Sequence, residues 1–290
     1  MTPSYNQGAY LEAAIRSVLL QNYPNLEYIV VDGHSTDESP DIIARYADHL
    51  SYWVSEPDEG QTHAINKGLQ RSTGEIIGWL NSDDLLLPHA LWHIAKAFID
   101  DPSAMVVTGF RKEYDEGGQF ITNYFDSPPT EKLLRLKCNI AQETTYWRRE
   151  VTAKIGYLDE SFHYALDFEY WNRMLDAGYR FKLLPVYLGG FRRHEASKGM
   201  TLEAVRAQEL ERIYQAHRIG ADEKEAFKQL EKVQGRKWRE KHRLLRMLCR
   251  RDISDDPRVL LMAYRLLQVP VLSDVVVDLY ERYRQRRSAS

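Results

Sequence analysis

The sequence predicts an α/β fold: a largely parallel sheet flanked by helices, followed by a helical extension. Three observations carry this. Short apolar runs alternate with segments of helical periodicity from residue 9 to residue 110. Run after run stops on acids: Asp32, Glu56 with Asp58, and Asp83 with Asp84. Past residue 200 the apolar runs give way to amphipathic, charge-rich segments.

The elements follow in order. AYLEAAIRSVLLQN (residues 9–22) has apolar residues at helical spacing and stops before Pro24, which predicts a helix. LEYIVVDG (26–33) predicts a buried strand ending on Asp32 and Gly33. TDESPDIIARYAD predicts a helix with a capping pattern in Thr36 to Ser39. LSYWVSEPD reads as a strand, QTHAINKGLQRS as a helix closed by Gly74, and EIIGWLNSDD as a strand. PHALWHIAKAFIDD reads as a helix with Pro88 near its start, and AMVVTGF as a strand. In open α/β sheets the ligand lies outside the carboxyl ends of the strands, so the strand-end acids are expected to converge on one edge.

Composition narrows the function. The chain has 290 residues, 43% hydrophobic and 28% charged, enough for a substantial core. A net charge of -3 argues against a dedicated nucleic-acid binder. Cys138 and Cys249 are the only cysteines and lie far apart, so neither a disulfide framework nor a cysteine metal site is expected. No secretory signal is read at the start, and the late apolar stretch is broken by Arg265, Pro270, Asp274 and Asp278. The expected location is cytoplasmic, with peripheral contact at the inner face of a membrane. That contact is assigned to the basic stretch from Lys232 to Arg251, whose charge suits anionic lipid; a solvated face or a homo-oligomer contact are its alternatives.

Adjacent carboxylates such as Asp83 and Asp84 repel each other and resist desolvation, so they call for a cation or solvent. Hard oxygen ligands suit Mg²⁺ or Mn²⁺ together with substrate phosphates. The alternative is that Asp83 caps the next helix and Asp84 is merely solvated.

The wider pattern bears on that choice. TPSYNQGAYLEAAIRSVLLQNYPNLEYIVVDGHSTDES, followed by SEPDEGQTHAINKGLQRSTGEIIGWLNSDD, resembles the family 2 glycosyltransferases with the GT-A fold. The resemblance runs from residue 2 to about 195 and implies a Rossmann-like, mostly parallel mixed sheet. It also implies a nucleotide-sugar donor, UDP-linked, and inversion at the anomeric carbon, with a saccharide or lipid-linked acceptor in a cell-surface polysaccharide pathway. A catalytic domain over residues 1–197 and a C-terminal helical region over 198–290 are expected.

The resemblance assigns roles residue by residue. Thr2, Pro3 and Tyr5 resemble the loop flanking the nucleotide base and ribose; Asp32 resembles the base-contacting aspartate. Asp37 resembles a loop-stabilising aspartate, with a helix N-terminal acid as the alternative. Asp83 and Asp84 match the DXD-type element, in which Asp84 is expected to bind the metal and Asp83 the ribose or a metal-bound water. NIAQETTYWRREVTAKIGYLDESFHYALDFEYWNRML resembles the acceptor half, where Asp167 holds the general-base position and Glu169 is the second choice. GGFRRHEASKG resembles a tail motif that makes His194 a candidate ligand of metal or diphosphate. Gln142, Trp147 and Trp171 are candidates for the sugar and acceptor pocket, with core packing the alternative for both tryptophans.

There are departures. His34 stands where the family commonly has glycine, Glu143 where proline is frequent, and the apolar strand that should precede TPSYNQ is absent. The first strand is therefore expected to be truncated. Two other functions share the scaffold: a GT-A-like protein that binds without turnover, and a sugar nucleotidyltransferase. The latter needs a glycine-rich phosphate loop, which TPSYNQG is not.

Overall fold

A computed structural model of the chain describes residues 1–124, 129–194, 203–225 and 228. In chain order the elements are β1 (Thr2–Ser4), α1 (Gly8–Leu19), β2 (Ile29–Asp32), α2 (Ser39–Arg45), β3 (Tyr52–Ser55), α3 (Gln61–Arg71), β4 (Ile76–Ile77) and β5 (Leu85–Leu86). They continue with α4 (Ala90–Asp100), β6 (Val106–Tyr114), β7 (Phe120–Tyr124), α5 (Glu131–Leu136), β8 (Tyr146–Arg148), α6 (Arg149–Ile155), α7 (Leu166–Asp176), β9 (Phe181–Arg192) and α8 (Glu203–Ala216).

The first half is a parallel sheet in the order β1-β2-β3. Strand β2 alternates its contacts, as a two-residue period requires: Val30 packs with Leu11 and Ile15 of α1, while Ile29 and Val31 pack with Ala64 of α3. Covering both faces explains why IVVD reads as a continuous apolar run. The register sets Ser4, Asp32 and Ser55 side by side at the carboxyl edge.

The second sheet has the order β4-β8-β6-β9-β5, with β7 also on β6. It is mixed: β6 and β9 are parallel, while β4 with β8, β6 with β8, β6 with β7, and β5 with β9 are antiparallel. The largely parallel expectation thus holds for the first half and not for the second. The two sheets join through Met1, whose amine donates to Gly78 O (3.0 Å) and whose carbonyl accepts from Leu80 N (2.9 Å). Strand β1, three residues long, stands at the end of the first sheet beside this link.

Behind the second sheet lies an aromatic core. Trp79 and Trp171 stack with ring centroids 5.7 Å apart at 15°, and Trp147 meets them edge-on at 5.6 and 5.8 Å. All three are 1% exposed or less. Both candidate pocket tryptophans are thus core residues, the alternative given for each from the sequence.

The chain separates into two compact units, Met1–Arg218 and Ile219–Ser290. Helix α8 belongs to the first, with Ile213 in the aromatic core, although the composition change near residue 197 sets it in the C-terminal region. The basic stretch 232–251 lies outside the described residues. Among the described residues no helix is long and apolar enough to cross a membrane.

Candidate active site

The loops leaving β1 and β2 are built around two aspartates. Asp32 is fully buried, and its carboxylate accepts from Ser35 N (2.9 Å), Ser35 Oγ (2.5 Å) and Ser55 Oγ (2.7 Å). Those donors fill most of its acceptor capacity within the protein. Asp37 accepts from Gly8 N (2.8 Å) at the start of α1 and from Ser39 N (3.0 Å) at the start of α2. Burial acts to raise its pKa, but hydrogen bonds from Ser39 and Gly8 prevail and hold it below the usual value. It caps two helices and fixes the loop between them, so its two sequence readings are one structural role. The N-cap residue of α2, Glu38, makes no side-chain capping bond; within Thr36 to Ser39 it is Asp37 that meets the helix start. His34 sits at φ 65, in the left-handed region, which accounts for glycine being common there in the family.

Of the other candidates on this edge, Thr2 turns inward, with Oγ1 3.0 Å from the Tyr28 hydroxyl, and Pro3 is buried. Tyr5 is 61% exposed. Gln142 is half-buried and donates from Nε2 to Trp79 O at 2.7 Å, tying the turn before β8 to the segment that leads to Asp83.

The paired aspartates follow a tight turn in which Asp84 N donates to Asn81 O (3.1 Å). They face opposite ways. Asp84 is 2% exposed, and its Oδ1 accepts from Arg192 N at 3.2 Å. Burial drives its pKa well above the carboxylate range, and the charges of Asp83 and Glu143 push the same way. Asp83 turns outward, its Oδ2 2.9 Å from His194 Nε2. Strands β5 and β9 make this possible: Leu85 pairs with Gly190 and Leu86 with Gly189, so the same antiparallel register continued sets Asp83 across from Arg192. Arg192 Nε donates to Asp83 O (3.1 Å) and its Nη1 to Glu116 O (3.0 Å). Tyr10 closes the group, its ring 4.7 Å from that of His194 and its hydroxyl donating to Glu116 (2.8 Å).

Asp167 lies in the first turn of α7 and is half-buried. Its Oδ1 accepts from Phe168 N (2.8 Å), and Cys138 Sγ donates toward Oδ2 at 3.8 Å. Glu169 faces elsewhere. It forms a two-pronged pair with Arg173 (2.7 and 2.9 Å), and Arg173 also holds the carbonyls of Ile155 and Tyr157. That network engages Glu169 in holding α7 to the loop before it.

Sequence reasoning gave no role to Glu143, noting it only as a departure from proline. It is 2% exposed, 3.7 Å from Arg111, and its pKa is raised by burial, opposed by Arg111 and reinforced by Asp167 and Glu113. The charge of Glu143 acts to raise the pKa of Asp84, and that of Asp167 to raise the pKa of Glu143. Glycine at 189 makes room for it: a Cβ there would meet Glu143 Cγ at 2.6 Å. Arg192 was also passed over, although it lies within the quoted tail motif.

Asp83, Asp84 and His194 are of the type that suits a hard divalent cation, but the two aspartates face apart. Among the described residues the group of three whose ligand atoms all lie within 4.8 Å of one another is a different one, Glu59, His63 and Glu160. There His63 Nδ1 accepts from Glu59 N (3.1 Å), which puts a neutral ring's proton on Nε2.

A parallel half joined through β1 to a mixed half, with paired aspartates just beyond the junction, is the architecture of a GT-A glycosyltransferase. The chain belongs to glycosyl transferase family 2, which it matches over residues 1–156. It is 30% identical over 184 residues to an uncharacterised glycosyltransferase of Rickettsia typhi, covering 60% of this chain and 57% of the relative. It is 34% identical over 120 residues to Bacillus subtilis TuaG, a glycosyltransferase assigned to teichuronic acid biosynthesis, covering 40% of this chain and 48% of that one. The chain therefore spans about half the length of each of these relatives. Among solved structures it is similar in fold to residues 1–349 of S. aureus TarS in complex with UDP-GlcNAc, at TM-score 0.59 and 21% identity over 76% of this chain and 66% of that one. It is likewise similar to the mannosyltransferase PcManGT of Pyrobaculum calidifontis in complex with GDP-Man and Mn²⁺, at TM-score 0.56 and 24% identity over 76% and 63%.

Proposed function

We propose that this chain is a metal-dependent inverting glycosyltransferase that moves a sugar from a UDP-sugar to a hydroxyl of a saccharide or lipid-linked acceptor. The observation that supports it most is the family 2 match, which covers residues 1–156 and with them the paired aspartates Asp83 and Asp84. The bound UDP-GlcNAc of TarS and the GDP-Man of PcManGT support a nucleotide-sugar donor.

In this reading Asp167 accepts the proton of the acceptor hydroxyl as it attacks the anomeric carbon from the face opposite the nucleotide. The Phe168 amide donates to Asp167 Oδ1, and the Cys138 thiol, shared with the Ile140 carbonyl, lies 3.8 Å from Oδ2. The residues that would hold the cation are Asp84 and Asp83, with His194 beside them. When bound, the ion supplies charge neutralisation for the departing diphosphate. Arg192 adds a fixed positive charge at the same place, and the exposed Tyr5 stands at the loop where the base would enter. Asp32 holds that loop in shape through Ser35 and Ser55.

The test is a panel of nucleotide sugars that includes UDP-GlcNAc and GDP-mannose, each with and without Mn²⁺. Melting temperature is read first, then transfer of labelled sugar. The proposal expects one donor to raise the melting temperature only with Mn²⁺ and then to be turned over. A metal-independent shift for every donor, with no turnover, would contradict it.

A further inference from the structure

Helix α7 begins at Leu166, and the residue before it, Ala165, has no side chain able to cap the helix. Of the free amides at a helix start, that of Ala165 is taken by Glu209 of α8, together with the two amides that precede it. Glu209, 3% exposed, takes His163 N on Oε1 (2.7 Å) and both Tyr164 N (2.9 Å) and Ala165 N (2.7 Å) on Oε2. Consecutive amides converging on one buried carboxylate form an anion nest whose hydrogen bonds are charge-assisted. Its helical neighbours Arg206 and Arg212, spaced by three, share the face. The Arg212 guanidinium donates to Ser161 O (3.2 Å) and Ser161 Oγ (2.6 Å) and lies 4.3 Å from the Phe162 ring, while that of Arg206 lies 6.0 Å from Tyr164.

We infer that Glu209 is the positioning residue for the base: from a helix outside the family match, it fixes the segment 163–165 and so the place of Asp167, two residues on. This rests on the reading of Asp167 given above. Glutamine at 209 keeps one acceptor oxygen but turns an NH₂ toward amides that themselves donate, so the segment must open on that side. Displacing a catalytic group by about 1 Å can cost on the order of 10²-fold in rate.

The experiment compares Glu209→Gln, Arg212→Ala and Asp167→Asn in the full chain, with Cys249→Ser throughout. Two readouts are taken: turnover of whichever of UDP-GlcNAc and GDP-mannose the parent hydrolyses or transfers faster, and the rate of Cys138 alkylation at one fixed pH. Glu209→Gln is expected to lower kcat roughly 10–100-fold with donor KM unchanged, and to speed Cys138 alkylation as Asp167→Asn does, because the Cys138–Asp167 contact is lost in both. Arg212→Ala, matched for loss of Tm, is expected to do neither. The double variant with Asp167→Asn should lose no more than Asp167→Asn alone, since the two residues act as one unit. Parental kcat and parental alkylation in Glu209→Gln, while Asp167→Asn is inactive, would overturn the inference alone. An active Asp167→Asn would overturn the reading of the base instead. Should Glu209→Gln not fold, Glu209→Asp carries the test: an intermediate kcat at unchanged KM supports the inference, and parental kcat contradicts it. If neither donor turns over, the alkylation rates decide by the same comparison.

Discussion

His194 Nε2 lies 2.9 Å from Asp83 Oδ2, joining residues 111 positions apart in the chain at the point where β9 runs past the paired aspartates. The His194 side chain is 1% exposed and that of Asp83 24%, so the carboxylate faces solvent while the ring is fixed behind it. In the proposed function a cation held by Asp83 would have the His194 ring as its neighbour.

His194→Ala should therefore weaken Mn²⁺-dependent binding of UDP by roughly 10–100-fold, the usual effect of removing a ligand or its orienting partner. Titration calorimetry with and without Mn²⁺ measures it. Affinity that responds to Mn²⁺ as strongly as in the parent would remove His194 from the site.

Asp84 gives a prediction about stability with a definite sign. Burial raises its folded pKa above the unfolded value of about 3.9, so between those two values the folded state binds more protons than the unfolded state. Stability contributed by this group therefore falls as pH rises from the unfolded pKa through the folded one, so above the unfolded value burying Asp84 costs the metal-free fold stability. Asp84→Asn should raise the melting temperature of metal-free protein at neutral pH, and Mn²⁺ should no longer add to it. Thermal melts from about pH 4 to pH 8 decide it. A lower Tm in the variant at neutral pH would mean that the carboxylate stabilises the fold.

Glu169 should matter to stability rather than chemistry. Its pair with Arg173 is largely buried and carries charge-assisted hydrogen bonds, so Glu169→Gln should cost about 1.5–3 kcal/mol. Urea unfolding measures the loss, and turnover per folded molecule should stay close to parental. A variant of normal stability with lost turnover would move the base to Glu169.

Strands β2 and β3 were legible because an apolar run in each stops at a strand-end acid, as in IVVD, and the helices beside them have a clear period. Strands β1, β5, β7, β8 and β9 were not read. Tyr146–Arg148 is too short to show a period, and Phe181–Arg192 is interrupted by Pro185, Gly189 and Gly190, which argue against a strand. Asp83, Asp84, Asp167 and His194 were singled out because they sit in ordered motifs. Glu143 was seen only as a departure, since its burial beside Arg111 depends on how β6 and β9 pair. Glu209 was invisible: on α8 it reads as one more surface acid, and only the packing of α8 against residues 161–165 brings it to the start of α7.

The central claim is that Asp167 accepts the proton of the acceptor hydroxyl, and Asp167→Asn tests it most directly. Asparagine keeps the size of the side chain and an oxygen for the Phe168 amide, but it cannot take that proton. Turnover measured with matched donor and acceptor, beside calorimetric donor affinity on protein checked to be folded, separates chemistry from binding. The account predicts that turnover falls by roughly 10²–10⁴-fold while donor affinity holds. Near-parental turnover, or donor affinity that collapses together with it, would contradict it.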